Sequence, residues 1–438
     1  MADKTKMIIL GAAGRDFHDF NTVWKHAPVE VVAFTATQIP DIHGRMYPPE
    51  LAGAAYPNGI PIKAEDELEA LIKEHNVRLV TLAYSDLPYS YVMSQASRVH
   101  AAGADFTLLD PNRGMVKSTK PVIAVCAVRT GCGKSQTSRR VIEILKELGK
   151  TVAVCRHPMP YGDLTKQICQ RFATLEDMDK HECTIEEREE YEPHIAAGSL
   201  LFAGVDYEKI LRAAEAEADV VLWDGGNNDT SFFKADLYIT VADPHRPGHE
   251  LAYYPGETNV RLADIVVLNK VGTADPKDVA TVETNCRAIN PQATILKADS
   301  PCTAEDAGII KGKRVLVVED GPTLTHGEMR YGAGHVAARN NGAAEIIDPR
   351  PYAQGSLKGV FEKYGHLTDV LPAMGYGEAQ MADLQATIAQ VPCDAVIVGT
   401  PIDLAKLIEI KQPNTRVQYD LAEHDRNILP EAIKKVVG

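Results

Sequence analysis

Residues 122–135 read VIAVCAVRTGCGKS. An apolar run leads directly into a loop of small and basic residues, and the helical pattern SRRVIEILKELG (138–149) follows it. This matches most of the phosphate-binding pattern GxxxxGK[ST] in the strand, loop and helix context that the motif requires. Val128 stands where the first glycine of the pattern is expected. The stretch predicts a nucleoside triphosphate site after a buried strand.

The residue types in this loop suit phosphate chemistry. Gly131 and Gly133 let backbone N–H groups approach phosphate oxygens at a helix N-terminus. Lys134 is expected to reach the β- and γ-phosphates, and the Ser135 hydroxyl is expected to ligate Mg²⁺. The predicted nucleotide-binding residues of the loop are Thr130, Gly131, Cys132, Gly133, Lys134, Ser135 and Gln136.

Short runs rich in Val, Ile and Ala alternate with helical patterns along the whole chain, which favours an α/β fold with parallel sheets. We expect a central P-loop NTPase domain flanked by Rossmann-like N-terminal and C-terminal α/β domains. The predicted boundaries are 1–117, 118–311 and 312–438. The second boundary has an alternative, because the apolar run at 314–320 could also extend the central sheet.

Composition excludes several classes of protein. The chain has 438 residues, 45% of them hydrophobic, with a net charge of -14, so neither a disordered nor a fibrous chain is expected. The acidic balance argues against nucleic acid as a partner. Without an apolar run of about 18 residues or a cleavable signal, a cytoplasmic protein with no membrane partner is expected. The eight cysteines include no CxxC pair, which indicates reduced thiols.

A second motif is ADVVLWDGGNND (218–229), an apolar run ending in Asp224. Asp224 is the natural acidic partner for Mg²⁺, so Ser135 and Asp224 are the predicted metal ligands. Arg129 stands where one subclass, K-G-G-x-G-K-[ST], places a second signature lysine that often reaches the nucleotide of a dimer partner. We therefore predict a homodimer, with Lys134, Arg129 and Asp224 as catalytic residues.

A third motif, IVVLNKVG (265–272), bears on the base of the nucleotide. It resembles the N-K-x-D element with which GTPases hold guanine, and Asn269 and Lys270 fill its first two places. Gly272 replaces the base-reading aspartate, so the choice between ATP and GTP stays open. An ordinary strand end followed by a loop is the alternative interpretation.

RTGCGKS, WDGGNND and NKVG, with HPMPYGD and DPHRPGHE between them, resemble the predicted GTPases related to cyclic 2,3-diphosphoglycerate synthetase. That group belongs to the dimeric P-loop class that includes dethiobiotin synthetase and metallochaperone GTPases. The resemblance covers about 120–330. It implies phosphate-bond chemistry driven by a nucleoside triphosphate, and in its sharpest form the closing of 2,3-diphosphoglycerate into a cyclic phosphoanhydride.

Cationic and imidazole side chains follow several predicted strands of the central block. We expect them to hold a small phosphorylated or carboxylated metabolite for an ATP- or GTP-dependent ligase. A metal site among the histidines near 245–249 is a weaker alternative, and the acidic run 177–194 favours a solvated helix or lid over a catalytic cluster. The alternative function is a regulatory or chaperone GTPase with a protein or metal-delivery partner. The predicted substrate-binding residues are Arg156, His157, Arg171, His245 and Arg246.

Two further glycine-rich turns leave their ligand open. Gly11 and Gly14 follow the first apolar run, where a dinucleotide, a smaller anion or a purely structural turn are all compatible with the sequence. The loops 39–53 and 83–88 are expected to face that cleft. In the C-terminal block, the segment 323–327 either cradles another anion or forms an ordinary turn.

Overall fold

The computed structural model describes residues 4–36, 44–157, 162–226, 229–374 and 377–438. Strands and helices alternate along the chain and form three mostly parallel sheets, so the predicted α/β class, with a P-loop domain between two Rossmann-like units, is confirmed. Within the described residues, no helix is both long and apolar enough to cross a membrane.

The first sheet has the strand order β3-β4-β2-β1-β5-β7, and only β3 runs antiparallel to its neighbour. Its strands are β1 (Thr5–Leu10), β2 (Val29–Ala36), β3 (Met46–Tyr47), β4 (Ile60–Ala64), β5 (Leu79–Leu82) and β7 (Asp105–Leu108), and the short β6 (Leu87–Pro88) lies outside it. The accompanying helices are α1 (Arg15–Thr22), α2 (Pro49–Ala52), α3 (Leu68–His75), α4 (Tyr89–Ala102) and α5 (Pro111–Gly114).

The second sheet is the largest and has the order β10-β11-β9-β12-β8-β13-β15-β16-β23. Its strands are β8 (Val122–Ala127), β9 (Val152–Arg156), β10 (Gln170–Phe172), β11 (Leu200–Ala203), β12 (Val220–Trp223), β13 (Leu237–Ala242), β15 (Ile265–Leu268), β16 (Thr294–Asp299) and β23 (Ala422–Glu423). The short strand β14 (Tyr253–Tyr254) pairs with β6. The helices are α6 (Lys134–Glu147), α7 (Leu175–Lys180), α8 (Ile185–Ala196), α9 (Tyr207–Glu217), α10 (His249–Ala252), α11 (Gly256–Leu262) and α12 (Pro276–Ile289).

The third sheet has the order β17-β22-β21-β18-β19, with β20 also paired to β18. Its strands are β17 (Cys302–Ala304), β18 (Arg314–Asp320), β19 (Glu345–Ile346), β20 (Leu371–Ala373), β21 (Ala395–Gly399) and β22 (Asn414–Tyr419). The helices are α13 (Gly321–Thr325), α14 (Ala333–Asn340), α15 (Ser356–Lys363), α16 (Glu378–Gln390) and α17 (Ile428–Val437).

The strand at 314–320 belongs to this third sheet and does not extend the central one. The chain then returns to the central unit, because β23 pairs with β16 and α17 places Leu429 and Ile433 in the central hydrophobic core. The three domain ranges predicted from the sequence stay predictions.

Candidate active site

The phosphate loop lies where the sequence places it, between β8 and α6. Every residue of β8 is buried in the middle of the central sheet, and α6 begins at Lys134. Gly131 and Gly133 have φ values of +81° and +107°, in the left-handed region that favours glycine. A Cβ on Gly133 would lie 2.0 Å from the Asn269 side-chain amide nitrogen. The loop therefore requires glycine at this position for both conformation and space.

Asn269 and Lys270 support this loop from the neighbouring strand β15. The Asn269 amide donates to the carbonyl of Cys132 at 2.9 Å, and the Lys270 ammonium donates to the carbonyl of Gly131 at 2.5 Å. Lys270 also pairs with buried Asp243 at 2.8 Å. These contacts fix the loop backbone, and the base-binding role of the two residues stays a prediction.

Asp224, at the end of β12, is fully buried and lies against the phosphate loop. Its carboxylate accepts from Lys134 at 2.5 Å, from Arg156, and from the His194 ring at 3.0 Å. Burial by itself would raise the pKa of Asp224, but the charges of Arg156 and Lys134 outweigh it and hold that pKa well below its usual range. Lysine and acidic partner, 90 positions apart in the sequence, are thus in direct contact.

His194 lies on α8, in the acidic run for which a solvated helix or lid was expected. Tyr191 and His194 form a buried face of α8, while Glu190 lines the cavity beside the phosphate loop. The run is therefore partly a wall of the candidate site. Sequence reasoning missed His194, although Tyr191, His194 and Ile195 share the helical spacing of a buried stripe.

Arg129 is buried, with its side chain 3% exposed, and its donors are used within the same chain. They reach Asp86 at 2.5 Å, the His249 ring at 2.9 Å and the His326 carbonyl at 2.8 Å. The expectation of a dimer rested on Arg129 reaching the nucleotide of a partner, and in this structure its guanidinium is bound within its own chain. The homodimer itself stays a prediction.

Of the five predicted substrate-binding residues, Arg156 and Arg171 are both paired with carboxylates. Arg156 is buried between Asp224 and Glu190. Arg171 lies on the edge strand β10, half-exposed, and pairs with Glu217 at 2.6 Å. Arg171 is therefore not brought to the phosphate loop, whereas Arg156 is.

Arg246 holds two parts of the chain together. Its guanidinium donates to the carbonyl of Gly327 at 2.5 Å, to the Cys132 sulfur at 3.3 Å and to Asp243 at 3.2 Å. Gly327 belongs to the third sheet's loops and Cys132 to the phosphate loop. Arg246 thus fixes the C-terminal unit against the nucleotide site.

The two predicted histidines lie apart. His245 lines the cavity and its ring bonds with the Thr273 hydroxyl at 2.9 Å. His157 is buried against the N-terminal unit, where a Cβ on Gly14 would lie 2.5 Å from its ring nitrogen Nδ1. Burial and the nearby Arg15 charge lower the pKa of His157 well below its ordinary value, so this ring is neutral. Residues 39–43, 158–161 and 227–228, which belong to three of the predicted loops, lie outside the described residues.

A cavity of about 410 Å³ connects the phosphate loop with the carboxyl ends of strands from all three sheets. Ser85 and Asp86 reach it from the first sheet, and Glu319, Asp320 and Gly399 from the third. Ligands of open α/β sheets bind outside the carboxyl ends of the strands. The lining of the cavity includes Arg129, Thr130, Gly131, Gly133, Lys134, Ser135, Gln136, Arg156, Glu190, His194, His245, Lys270, Thr323, His326 and Tyr419.

The glycine turn of the N-terminal unit is filled by the chain's own carboxylate. Asp16 accepts from the backbone N–H groups of Ala13 and Phe17, each at 2.7 Å. A Cβ on Gly11 would lie 2.6 Å from that carboxylate. Of the three interpretations that the sequence left open, this geometry favours the structural turn, because Asp16 takes the place of a bound anion.

The same arrangement occurs in the C-terminal unit. Buried Glu319 accepts backbone N–H groups from Gly332, Gly334 and His335 at the start of α14, at 3.1, 3.2 and 2.8 Å. The segment 323–327 packs on the phosphate loop, with the Thr323 methyl 3.1 Å from a Cβ on Gly131. Of the three glycine turns, the central one alone presents an exposed hydroxyl, that of Ser135, and no carboxylate at its glycines among the described residues.

Comparison with known proteins shows which family the chain belongs to. No family model matches the chain. Arginine synthetase ArcE of Thermococcus kodakarensis is 60% identical over 438 residues, which covers 99% of this chain and 98% of the relative. The chain belongs to the arginine synthetase ArcE family. It is therefore an enzyme, of the ligase or synthetase kind.

More distant matches agree with the resemblance seen in the sequence. Cyclic 2,3-diphosphoglycerate synthetase of Thermococcus sibiricus is 24% identical over 253 residues, covering 52% of this chain and 57% of the relative. Among solved structures, LpxK from Aquifex aeolicus in complex with ATP has a TM-score of 0.43 and 12% identity, covering 85% of this chain and 100% of that one. Because both curated relatives are synthetases, the expectation of a synthetase-like group is confirmed, and the ArcE family is the nearer assignment of the two.

Proposed function

We propose that this chain is a Mg²⁺-dependent synthetase that uses ATP to form arginine from citrulline and ammonia. The observation that carries the proposal is the shared cavity, whose lining includes both the phosphate loop and the acidic residues Glu319 and Asp320. The product is taken from the name of the relative that is 60% identical over nearly the whole chain.

The charge of the cavity supports an amino-acid substrate over a polyanion such as 2,3-diphosphoglycerate. Four of the cations that line it are paired closely with carboxylates of the same chain: Arg129 with Asp86, Lys134 and Arg156 with Asp224, and Lys270 with Asp243. A fifth, Arg139, lies 3.8 Å from the exposed Asp420. Among the described residues, neither Glu319 nor Asp320 has a cationic partner. An α-ammonium group would supply one, because buried carboxylates are stabilised by a positive neighbour.

Arginine differs from citrulline by a nitrogen in place of the ureido oxygen, and that oxygen is a poor leaving group. In the proposed reaction the ureido oxygen attacks the γ-phosphorus, the bond to the β-phosphate oxygen breaks and ADP leaves. Ammonia then forms a bond to the ureido carbon, the carbon–oxygen bond breaks, and inorganic phosphate leaves with the former ureido oxygen. When ammonium is counted as the nitrogen source and the guanidinium product keeps its charge, two protons leave the attacking nitrogen. One joins the departing phosphate, whose oxygen has lost its bond to carbon, and the other is released to solvent.

The described residues fit a Mg²⁺ ion together with the nucleotide. The Ser135 hydroxyl is exposed to the cavity and the Asp224 carboxylate lies next to Lys134, a hydroxyl and carboxylate set that suits this hard cation. When bound, Mg²⁺ supplies positive charge to the β- and γ-phosphates. Lys134 would turn from Asp224 to these phosphates, and Arg129 would face the transferred group.

The decisive experiment combines product analysis with an isotope. Purified protein is incubated with ATP, Mg²⁺, ammonium and citrulline carrying ¹⁸O in its ureido group. We expect equal amounts of arginine, ADP and phosphate, with the ¹⁸O in the phosphate. Parallel reactions replace citrulline with 2,3-diphosphoglycerate and ATP with GTP.

Each alternative gives a different result. Label in AMP would mean that an adenylyl group, and not a phosphoryl group, activates the oxygen. Phosphate release with 2,3-diphosphoglycerate and none with citrulline would replace the arginine proposal by the cyclic phosphoanhydride reaction. Hydrolysis of GTP that no small molecule stimulates would favour the regulatory GTPase.

A further inference from the structure

The loop between β5 and β6 carries a residue of the N-terminal unit into the phosphate site. Leu87 and Pro88 pair with Tyr254 and Tyr253 in a small antiparallel sheet that joins the N-terminal and central units. One position before this clamp, Asp86 has a φ of +59°, in the left-handed region. Aspartate tolerates this conformation better than most side chains, and here it aims its carboxylate at the start of the phosphate loop.

Asp86 holds both of the first two residues of the motif RTGCGKS. One carboxylate oxygen accepts from the Arg129 guanidinium at 2.5 Å. The other accepts from the Thr130 backbone N–H at 3.2 Å and from its hydroxyl at 2.7 Å. With its side chain only 10% exposed, Asp86 forms these bonds largely out of water, where charge-assisted contacts are strong.

Arg129 is held from the other two units as well. It donates to the His326 carbonyl in the C-terminal unit, and its guanidinium lies 3.6 Å from the centre of the Tyr253 ring in the central unit. Without Asp86, the partners left to the Arg129 guanidinium among the described residues are the His326 carbonyl, the His249 ring nitrogen, the Tyr253 ring and the exposed Glu328 at 3.5 Å. Asp86 is thus the buried counter-ion that sets its direction.

We propose that Asp86 is a positioning residue of the phosphate site, which orients the Arg129 guanidinium and the Thr130 turn so that Arg129 acts on the nucleotide bound by its own chain. This rests on the proposed function, because it assigns a role within ATP-dependent turnover. A guanidinium held in place before the reaction stabilises developing charge without reorganising, which a mobile one does not. The N-terminal unit is then a working part of the active site.

The test is a double-mutant cycle on the full-length protein. Asp86→Gly keeps the left-handed backbone available and removes the carboxylate, while Asp86→Asn keeps a carbonyl acceptor and removes the charge. We expect Asp86→Gly and Arg129→Gln each to lower kcat/KM for ATP by about 10- to 100-fold, the range of one charge-assisted contact. The double variant is expected within about threefold of the less active single variant, since Asp86 and Arg129 act together. Arg129→Lys replaces Arg129→Gln if the latter does not unfold cooperatively.

The control is Tyr89→Phe, which removes a bond between units on the same segment, from the Tyr89 hydroxyl to Glu257 at 2.9 Å. We expect it to keep the parent turnover. The inference is overturned if Tyr89→Phe loses as much activity as Asp86→Gly, if Asp86→Gly matches the parent, or if the losses of the double variant multiply. A parent protein with no ATP-dependent turnover would instead overturn the proposed function, and this inference with it.

Discussion

Replacing Lys134 by alanine tests the centre of the proposal, because in this structure the lysine is bound to Asp224. The Lys134 ammonium lies 2.5 Å from a carboxylate that is fully buried, and its own side chain is 12% exposed. Arg156 contacts the other carboxylate oxygen. The substitution therefore removes one of two cations from a buried acid and, at the same time, removes the side chain that should reach the phosphates.

The expected loss of stability follows from these contacts. Breaking a buried ion pair on one side typically costs about 3–5 kcal/mol. Arg156 still neutralises Asp224, so we expect the smaller value of one charged hydrogen bond, about 1.5–3 kcal/mol. In a domain of this size each kcal/mol lowers the melting temperature by about 2–4 °C. Lys134→Ala should therefore melt several degrees lower than the parent and still unfold cooperatively.

The expected loss of activity is larger. Removing one group that stabilises transition-state charge lowers turnover by about 10²–10³-fold, so ADP formation by Lys134→Ala should fall at least 100-fold. Thermal unfolding without nucleotide and ADP formation with ATP are the two measurements. The matched control is Lys146→Ala, in the last turn of the same helix α6, where the exposed lysine bonds only to the Ala197 carbonyl among the described residues. We expect the control to keep full activity.

Two results would refute this reasoning in different ways. Turnover of Lys134→Ala within about threefold of the parent would show that the loop does not bind the reacting phosphates. A melting temperature equal to or above that of the parent would show that the Lys134–Asp224 pair does not stabilise the nucleotide-free protein, even if activity is lost.

Two further predictions concern the base and the pH. We expect ATP to be used at least as well as GTP. Gly272→Asp should destabilise the protein without creating a preference for GTP, because a Cβ at 272 would lie 2.7 Å from the Asp299 carboxylate. Unfolding and turnover with both nucleotides check this, and a gain in GTP use by the variant would contradict it. Burial raises the pKa of Glu319 from 4.5 to about 7, so the folded state holds this proton more tightly than the unfolded chain. Its contribution to the free energy of unfolding, up to about 3 kcal/mol, is present below pH 4.5 and is lost as the pH rises to about 7. The melting temperature of the parent should therefore fall over this pH range more steeply than that of Glu319→Gln. Parallel pH dependences of the two would refute the shift.

The sequence predicted the features that are set by residues adjacent in the chain and by the alternation of strands and helices. A buried strand, a glycine loop and a helix follow one another in VIAVCAVRTGCGKS, so the position of Lys134 could be read directly. A strand ending in Asp224 could be placed at the same sheet edge, since parallel strands share their carboxyl ends. The partners of the predicted substrate-binding cations could not be read in this way. Arg156 is neutralised by Glu190 of an acidic helix and Arg246 is bound to Gly327 of another sheet, and no periodicity links these positions.

The three glycine turns show most clearly what the sequence pattern alone does not predict. The N-terminal and central turns lie between a buried strand and a helix, and the C-terminal turn, at Gly332 and Gly334, lies at the start of α14. By pattern each is a candidate for an anion. What separates them is the position of one carboxylate: Asp16 lies two residues after Gly14, and Glu319 lies thirteen residues before Gly332, yet both end on backbone N–H groups of their turns. At Gly131 and Gly133 the neighbouring side chains are the Asn269 amide and the Lys270 ammonium, which donate to the loop's carbonyls. The Asp86 carboxylate accepts a backbone N–H earlier in the loop, at Thr130. The flanking turns are therefore closed by the chain itself, and the central turn stays the predicted phosphate site.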